Sequence, residues 1–97
     1  MQSEHSKEIV CRFFAAIARL KEERVIRGVK TFTNRYGINR WNFITCSRDH
    51  GRNIFQVAWL AYLVRDYNIN PMWLLTGEGD FYLPKNEKPA TDLQVDF

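Results

Sequence analysis

Cysteine is nearly absent from this chain: Cys11 and Cys46 are the two among 97 residues. Both fall on apolar helical faces, which points to buried, reduced thiols rather than a disulfide framework. With His5 and His50 they form no compact ligand spacing, so no metal site is expected. Long apolar runs are missing too. The longest, Val57 to Val64, falls far short of the ~20 residues that span a bilayer. Met1-Gln2-Ser3-Glu4-His5 lacks the apolar stretch of a signal peptide. No internal repeat or low-complexity segment is visible. These absences lead to the expectation of a cytoplasmic protein with no membrane partner.

Acidic side chains are scarce in one place. From residue 24 to residue 52 the chain carries Arg24, Arg27, Lys30, Arg35, Arg40, Arg48 and Arg52 against Asp49 alone, a local net charge of 7 − 1 = +6. Residues 78 to 97 carry Glu78, Asp80, Glu87, Asp92 and Asp96 against Lys85 and Lys88, a net 2 − 5 = −3. The whole chain is only +3, so the charge is concentrated rather than strong. A concentrated basic centre suits a polyanion partner.

What is present is enough for one small core: 45% of residues are hydrophobic and 14% aromatic. The pattern is helical nearly throughout. Ser6 is placed to cap a first helix whose apolar face is Ile9, Val10, Phe13, Ala16, Ile17 and Leu20; Lys21-Glu22-Glu23-Arg24 continues or closes it. A second helix starts near Gly28, with Val29, Phe32 and Tyr36 inward. Asn39 caps a third, anchored by Phe43 with Cys46 beside it. Arg48-Asp49-His50-Gly51-Arg52 is a polar loop. Asn53 is placed to cap a fourth helix reaching about Tyr67, apolar on most sides and therefore expected in the middle of a bundle.

The second and third helices meet at Tyr36-Gly37-Ile38-Asn39. Gly37 supplies the tight turn, Ile38 is a buried wedge, and Asn39 starts the next helix, which is the spacing of a helix-turn-helix. Such a unit holds its second helix clear of the body, where the major groove of B-DNA can admit it. With Phe43 inward, Arg40 and Trp41 lie on the first exposed turn and Thr45 about one turn on, with Asn42 and Ile44 at the edges. Arg40 can donate two parallel hydrogen bonds to guanine, and Thr45 can reach a base edge or a thymine methyl. Trp41 can pack on a thymine methyl or a sugar, or fold back onto its own domain. Lys30, Arg35, Arg48 and Arg52 flank the helix as phosphate contacts.

Asn70-Pro71-Met72-Trp73-Leu74-Leu75-Thr76-Gly77-Glu78-Gly79 is a short helix with both ends written in. Asn70 can cap it, Pro71 suits its first position, and Gly77 can take the left-handed stop. The whole string resembles the closing helix of lambda-repressor-like (Xre-type) helix-turn-helix domains, and the similarity extends over about residues 8 to 79, five helices in family order. It implies an all-α, five-helix domain with the helix-turn-helix at about residues 28–47, filling residues 1–84, and a polar, weakly ordered tail at 85–97. It implies sequence-specific binding of double-stranded DNA by a bacterial or phage-type transcriptional regulator, with helix 39–47 in the major groove. Asn39, Arg40, Trp41 and Thr45 match the positions that face bases in the family. Such domains dimerise on pseudo-palindromic sites, and Phe81, Tyr82 and the tail are candidate dimer contacts unless they cover the domain's own end. Relatives often continue into a C-terminal oligomerisation or peptidase domain; this chain ends at Phe97, so none is expected.

Two positions depart from the family pattern. Val29 stands where a glutamine usually binds the phosphate backbone, and Thr33 where an alanine usually packs. With Trp41 on the reading face, Val29 favours the alternative of a protein-protein interaction module that keeps the fold and has lost DNA binding. An enzyme is not expected. Asp49-His50 lacks a nucleophile or a pocket and reads as a solvated turn, and Gly77-Glu78-Gly79 ends a helix rather than opening one over a phosphate. No cofactor or small-molecule substrate is indicated.

Overall fold

A computed structural model describes residues 4–83. These form five helices, with no strand among the described residues: α1 (Glu4–Glu22), α2 (Val29–Tyr36), α3 (Arg40–Arg48), α4 (Ala58–Tyr67) and α5 (Pro71–Thr76). The expected all-α chain of five helices is what is found. The chain divides after Phe55 into two compact units. The tail segment at 85–97 lies outside the described residues.

The first unit holds α1 to α3. Val10, Phe13, Ala16, Ile17 and Leu20 recur at three and four spacing along α1, and all are buried. Phe13 is the hub. Its ring lies edge-on to Phe14, Phe32, Phe43 and Phe55, with centroids 5.0, 5.9, 5.9 and 5.2 Å away. Edge-to-face packing of this kind adds to the stability that aromatic burial already provides. Ser6 does not cap α1. The helix already includes Glu4, because the polar residues before Ile9 are compatible with continuing the helix and Glu4 favours its positive end. Cys11 is exposed, since it falls off the stripe that Val10 and Phe13 define; the expectation of two buried thiols holds for Cys46 alone.

α1 ends without glycine. Arg24 takes φ 64°, its N–H donates to Lys21 O at 3.1 Å, and the Val25 N–H reaches back to Leu20 O at 2.9 Å. This is the hydrogen-bond pattern of a Schellman stop with arginine in the left-handed position. Ile26 follows into the core at 2% exposure.

α2 and α3 pack through Phe32 and Phe43, whose rings lie 5.6 Å apart. Gly37 ends α2 at φ 64°, a conformation that costs an L side chain about 1–2 kcal/mol. Ile38, expected to be buried, is only half-buried, because the core here is filled by aromatic rings. Thr33 is 1% exposed, and its hydroxyl donates to Lys30 O at 3.2 Å, so the buried polar group is satisfied inside its own helix.

The second unit holds α4, α5 and the segment to Leu83. The fourth helix does not begin at Asn53. It begins at Ala58, because Phe55 leaves the helical path to put its ring against Phe13. Nor is it buried all round. Trp59 and Leu63 are buried, while Ala58 and Ala61 are exposed and Val57 is 79% exposed. Small alanines at the outer positions favour helix without requiring burial.

Asn68 closes α4 in the left-handed conformation, which asparagine tolerates. Asn70 Oδ1 accepts the Met72 N–H at 3.0 Å and opens α5, and Gly77 closes that helix at φ 83°. The chain then returns. Asn70 N–H donates to Phe81 O at 2.8 Å and Leu83 N–H to Asn68 O at 3.0 Å, around an isolated antiparallel bridge between Ile69 and Tyr82. Phe81 is 8% exposed with its ring 4.7 Å from that of Trp73. Phe81 therefore covers its own unit, and Tyr82 is half-buried beside it.

Candidate nucleic-acid interface

The α2–turn–α3 pair positions the expected reading residues. Asn39 is extended at φ −64°, ψ 115°, and its Oδ1 accepts the Asn42 N–H at 2.9 Å. That cap fixes where α3 starts and so the phase of every later side chain. Phe43 and Cys46 then face inward at 1% exposure each. Arg40, Trp41, Asn42, Ser47 and Arg48 are exposed, and Ile44 and Thr45 are half-buried.

Of the four residues expected to face bases, Arg40 and Trp41 are exposed to solvent. Trp41 is 73% exposed, so it does not fold back onto its own domain. Thr45 lies on the flank of α3. Asn39 is exposed, but its oxygen is committed to the helix cap, which leaves its amide nitrogen to offer a base. Asn42, expected at the edge, adds a further exposed polar side chain to the first turn. Ser47 turns its hydroxyl inward on the helix, donating to Ile44 O at 2.6 Å.

The four expected phosphate contacts are all exposed. Lys30 sits in the first turn of α2 and Arg35 in its last, with the Arg35 guanidinium 5.3 Å from the centre of the Tyr36 ring. Arg48 closes α3. Arg52 follows in the loop, where its N–H donates to Asp49 O at 3.2 Å. Val29, which opens α2, is half-buried.

The loop after α3 is more ordered in its contacts than a solvated turn. Asp49 Oδ1 accepts the Gly51 N–H at 3.1 Å, and the His50 ring stacks on Phe14 at 5.7 Å, with planes 8° apart. Both side chains of the Asp-His pair thus shape the loop. Burial pushes the Cys46 thiol up from its ordinary range; the positive charge of Arg52 opposes this and Asp49 adds to it. Among the described residues no group of three or more His, Cys, Asp or Glu could hold a metal ion, and no helix is long and apolar enough to cross a membrane.

Sequence reasoning missed one feature, a cleft lined by Lys21, Arg24, Ile26 and Arg27. The three-residue spacing of its cations was the available signal. Comparison of the chain with protein-family models, curated proteins and solved structures gave no match in any of the three. The reading of the α3 face therefore rests on its own geometry and chemistry.

Proposed function

We propose that this chain is a lambda-repressor-like helix-turn-helix protein that binds double-stranded DNA sequence-specifically, as a bacterial or phage-type transcriptional regulator acting in the cytoplasm. One observation carries the reading. α3 is set by the Gly37 turn and the Asn39 cap so that Arg40 and Trp41 project into solvent from a segment with a net charge of +6. A helix presented in this way fits the major groove, with Arg40 donating to guanine, Trp41 and Thr45 against bases, and Lys30, Arg35, Arg48 and Arg52 on the phosphates. One copy reads only a few base pairs, so the working form is a homodimer on a two-fold site.

A second reading, a protein-interaction module with this fold, is favoured by Val29 in the position of the phosphate-clamping glutamine and by the exposed indole of Trp41. Selection from a random duplex library across a salt series separates the two. A recovered motif whose binding weakens with salt supports DNA reading. Failure to enrich any sequence at low salt favours the interaction module.

A further inference from the structure

The connection between α1 and α2 forms a cleft of about 450 Å³ lined by Lys21, Arg24, Ile26 and Arg27. Ile26, at 2% exposure, is its apolar floor. Lys21, Arg24 and Arg27 stand exposed around it, and none of the three joins an ion pair among the described residues. Of the neighbouring acids, one is engaged within its own helix end. Glu23 Oε2 is bound to Arg19 Nε at 2.8 Å, and Glu22 is not part of the lining.

The backbone holds this arrangement against a cost. Arg24 occupies the left-handed stop of α1 at φ 64°, where glycine is the unstrained residue. Left-handed residues other than glycine are found more often at binding sites than elsewhere. Three cations around one opening are a charge arrangement that an anion would complement. The opening is also in the size range of small-ligand sites.

We propose that this cleft binds a phosphoryl group, held by Lys21, Arg24 and Arg27 above Ile26. Guanidinium groups match the geometry of phosphate oxygens, and lysine adds a compact charge. Two sources share that chemistry. One is the backbone of a bound duplex, since Arg27 and Gly28 lead directly into α2. The other is a free phosphorylated molecule. No residue of α3 lines the cleft, and phosphoryl binding there does not depend on base reading by α3.

Pyrophosphate titrated into the full chain, followed through backbone amide shifts, tests it. Saturable movement centred on Arg24 to Gly28 is expected, and K21A/R27A should weaken it roughly ten-fold, as loss of charge-assisted hydrogen bonds implies. R24G should also weaken it while raising the Tm, because glycine relieves the left-handed strain; the loss then cannot be unfolding. Salt slopes on a duplex separate the sources. A slope shallower by about two units in K21A/R27A, with base preference unchanged, assigns the cleft to DNA phosphates. An unchanged slope with lost pyrophosphate binding assigns it to a free ligand. The proposal falls if neither the titration nor the slope distinguishes K21A/R27A from wild type. A wild-type chain that binds no duplex removes the DNA reading of α3 and leaves pyrophosphate to decide the cleft.

Discussion

Asn39 Oδ1 accepts a hydrogen bond from the Asn42 N–H at 2.9 Å, so the residue that opens the presented helix is held by that helix. Asn39→Ala should lower stability by about 1 kcal/mol. Asn39→Ser keeps an oxygen for the cap and should retain that stability. If the cap is the whole role of Asn39, the serine variant also keeps its base preference; a changed preference assigns the amide nitrogen to a base. Urea unfolding and duplex selection on the same variants provide the two readings.

Arg40 and Arg48 stand at opposite ends of α3, and both are exposed. Arg40→Ala should cost about 1–3 kcal/mol of binding and relax preference at one base pair. Arg48→Ala should weaken all sequences alike and make the salt slope shallower by about one unit. Neither should shift folding stability by more than about 0.5 kcal/mol, as is usual for exposed substitutions. Binding curves at several salt concentrations check both, and unchanged affinity in both variants removes the DNA reading.

The parts legible in the sequence are those whose instructions are local. Asn70, Pro71 and Gly77 bracket α5, and Gly37 and Asn39 bracket the turn before α3, because capping and left-handed stops act through backbone groups a few residues away. The parts misread depend on distant partners. Phe55 abandons an apparent helix for the ring of Phe13, an attraction that no window around Asn53 contains. The end of α1 was legible only as a polar run, Lys21-Glu22-Glu23-Arg24, that continues or closes the helix; it closes at Glu22, with Arg24 in a conformation its residue type disfavours and no glycine to announce it. Cys11 looked like core because it neighbours Val10 and Phe13, and it is exposed because a helix turns about 100° per residue. The polar face of α3 followed from Phe43 alone, since one inward anchor fixes the phase of a short helix.

The two thiols should behave differently. Cys11 is exposed and Cys46 is buried on the inner side of α3. A maleimide should label one thiol in the native protein and two after unfolding. Because burial raises the Cys46 thiol, the folded state favours its neutral form. That contribution is complete below the ordinary thiol range and is lost as pH rises through the raised folded value. Wild type should therefore lose stability above about pH 9 faster than Cys46→Ala does. Chemical unfolding of both proteins from neutral to alkaline pH shows whether the gap between them narrows.

Asn70 joins two functions that one substitution series can separate. Its Oδ1 caps α5 through the Met72 N–H at 3.0 Å, while its Nδ2 donates to Asp80 O at 2.9 Å and clasps the returning segment. Asn70→Asp keeps the capping oxygen but replaces the donor with a second acceptor facing a carbonyl. Asn70→Ala removes both. The aspartate variant should lose about 1 kcal/mol and the alanine variant about 2, one hydrogen bond and one cap apart. Amide exchange locates the effect: the Leu83 N–H, which donates to Asn68 O at 3.0 Å, should exchange faster in both variants. The Leu74 N–H, donated to Asn70 O at 3.0 Å within the first turn of α5, should be released chiefly in the alanine variant. Equal exchange at Leu83 in wild type and Asn70→Asp would mean that the backbone pairing around Ile69 and Tyr82 holds the return by itself, and that the Asn70 side chain serves only α5.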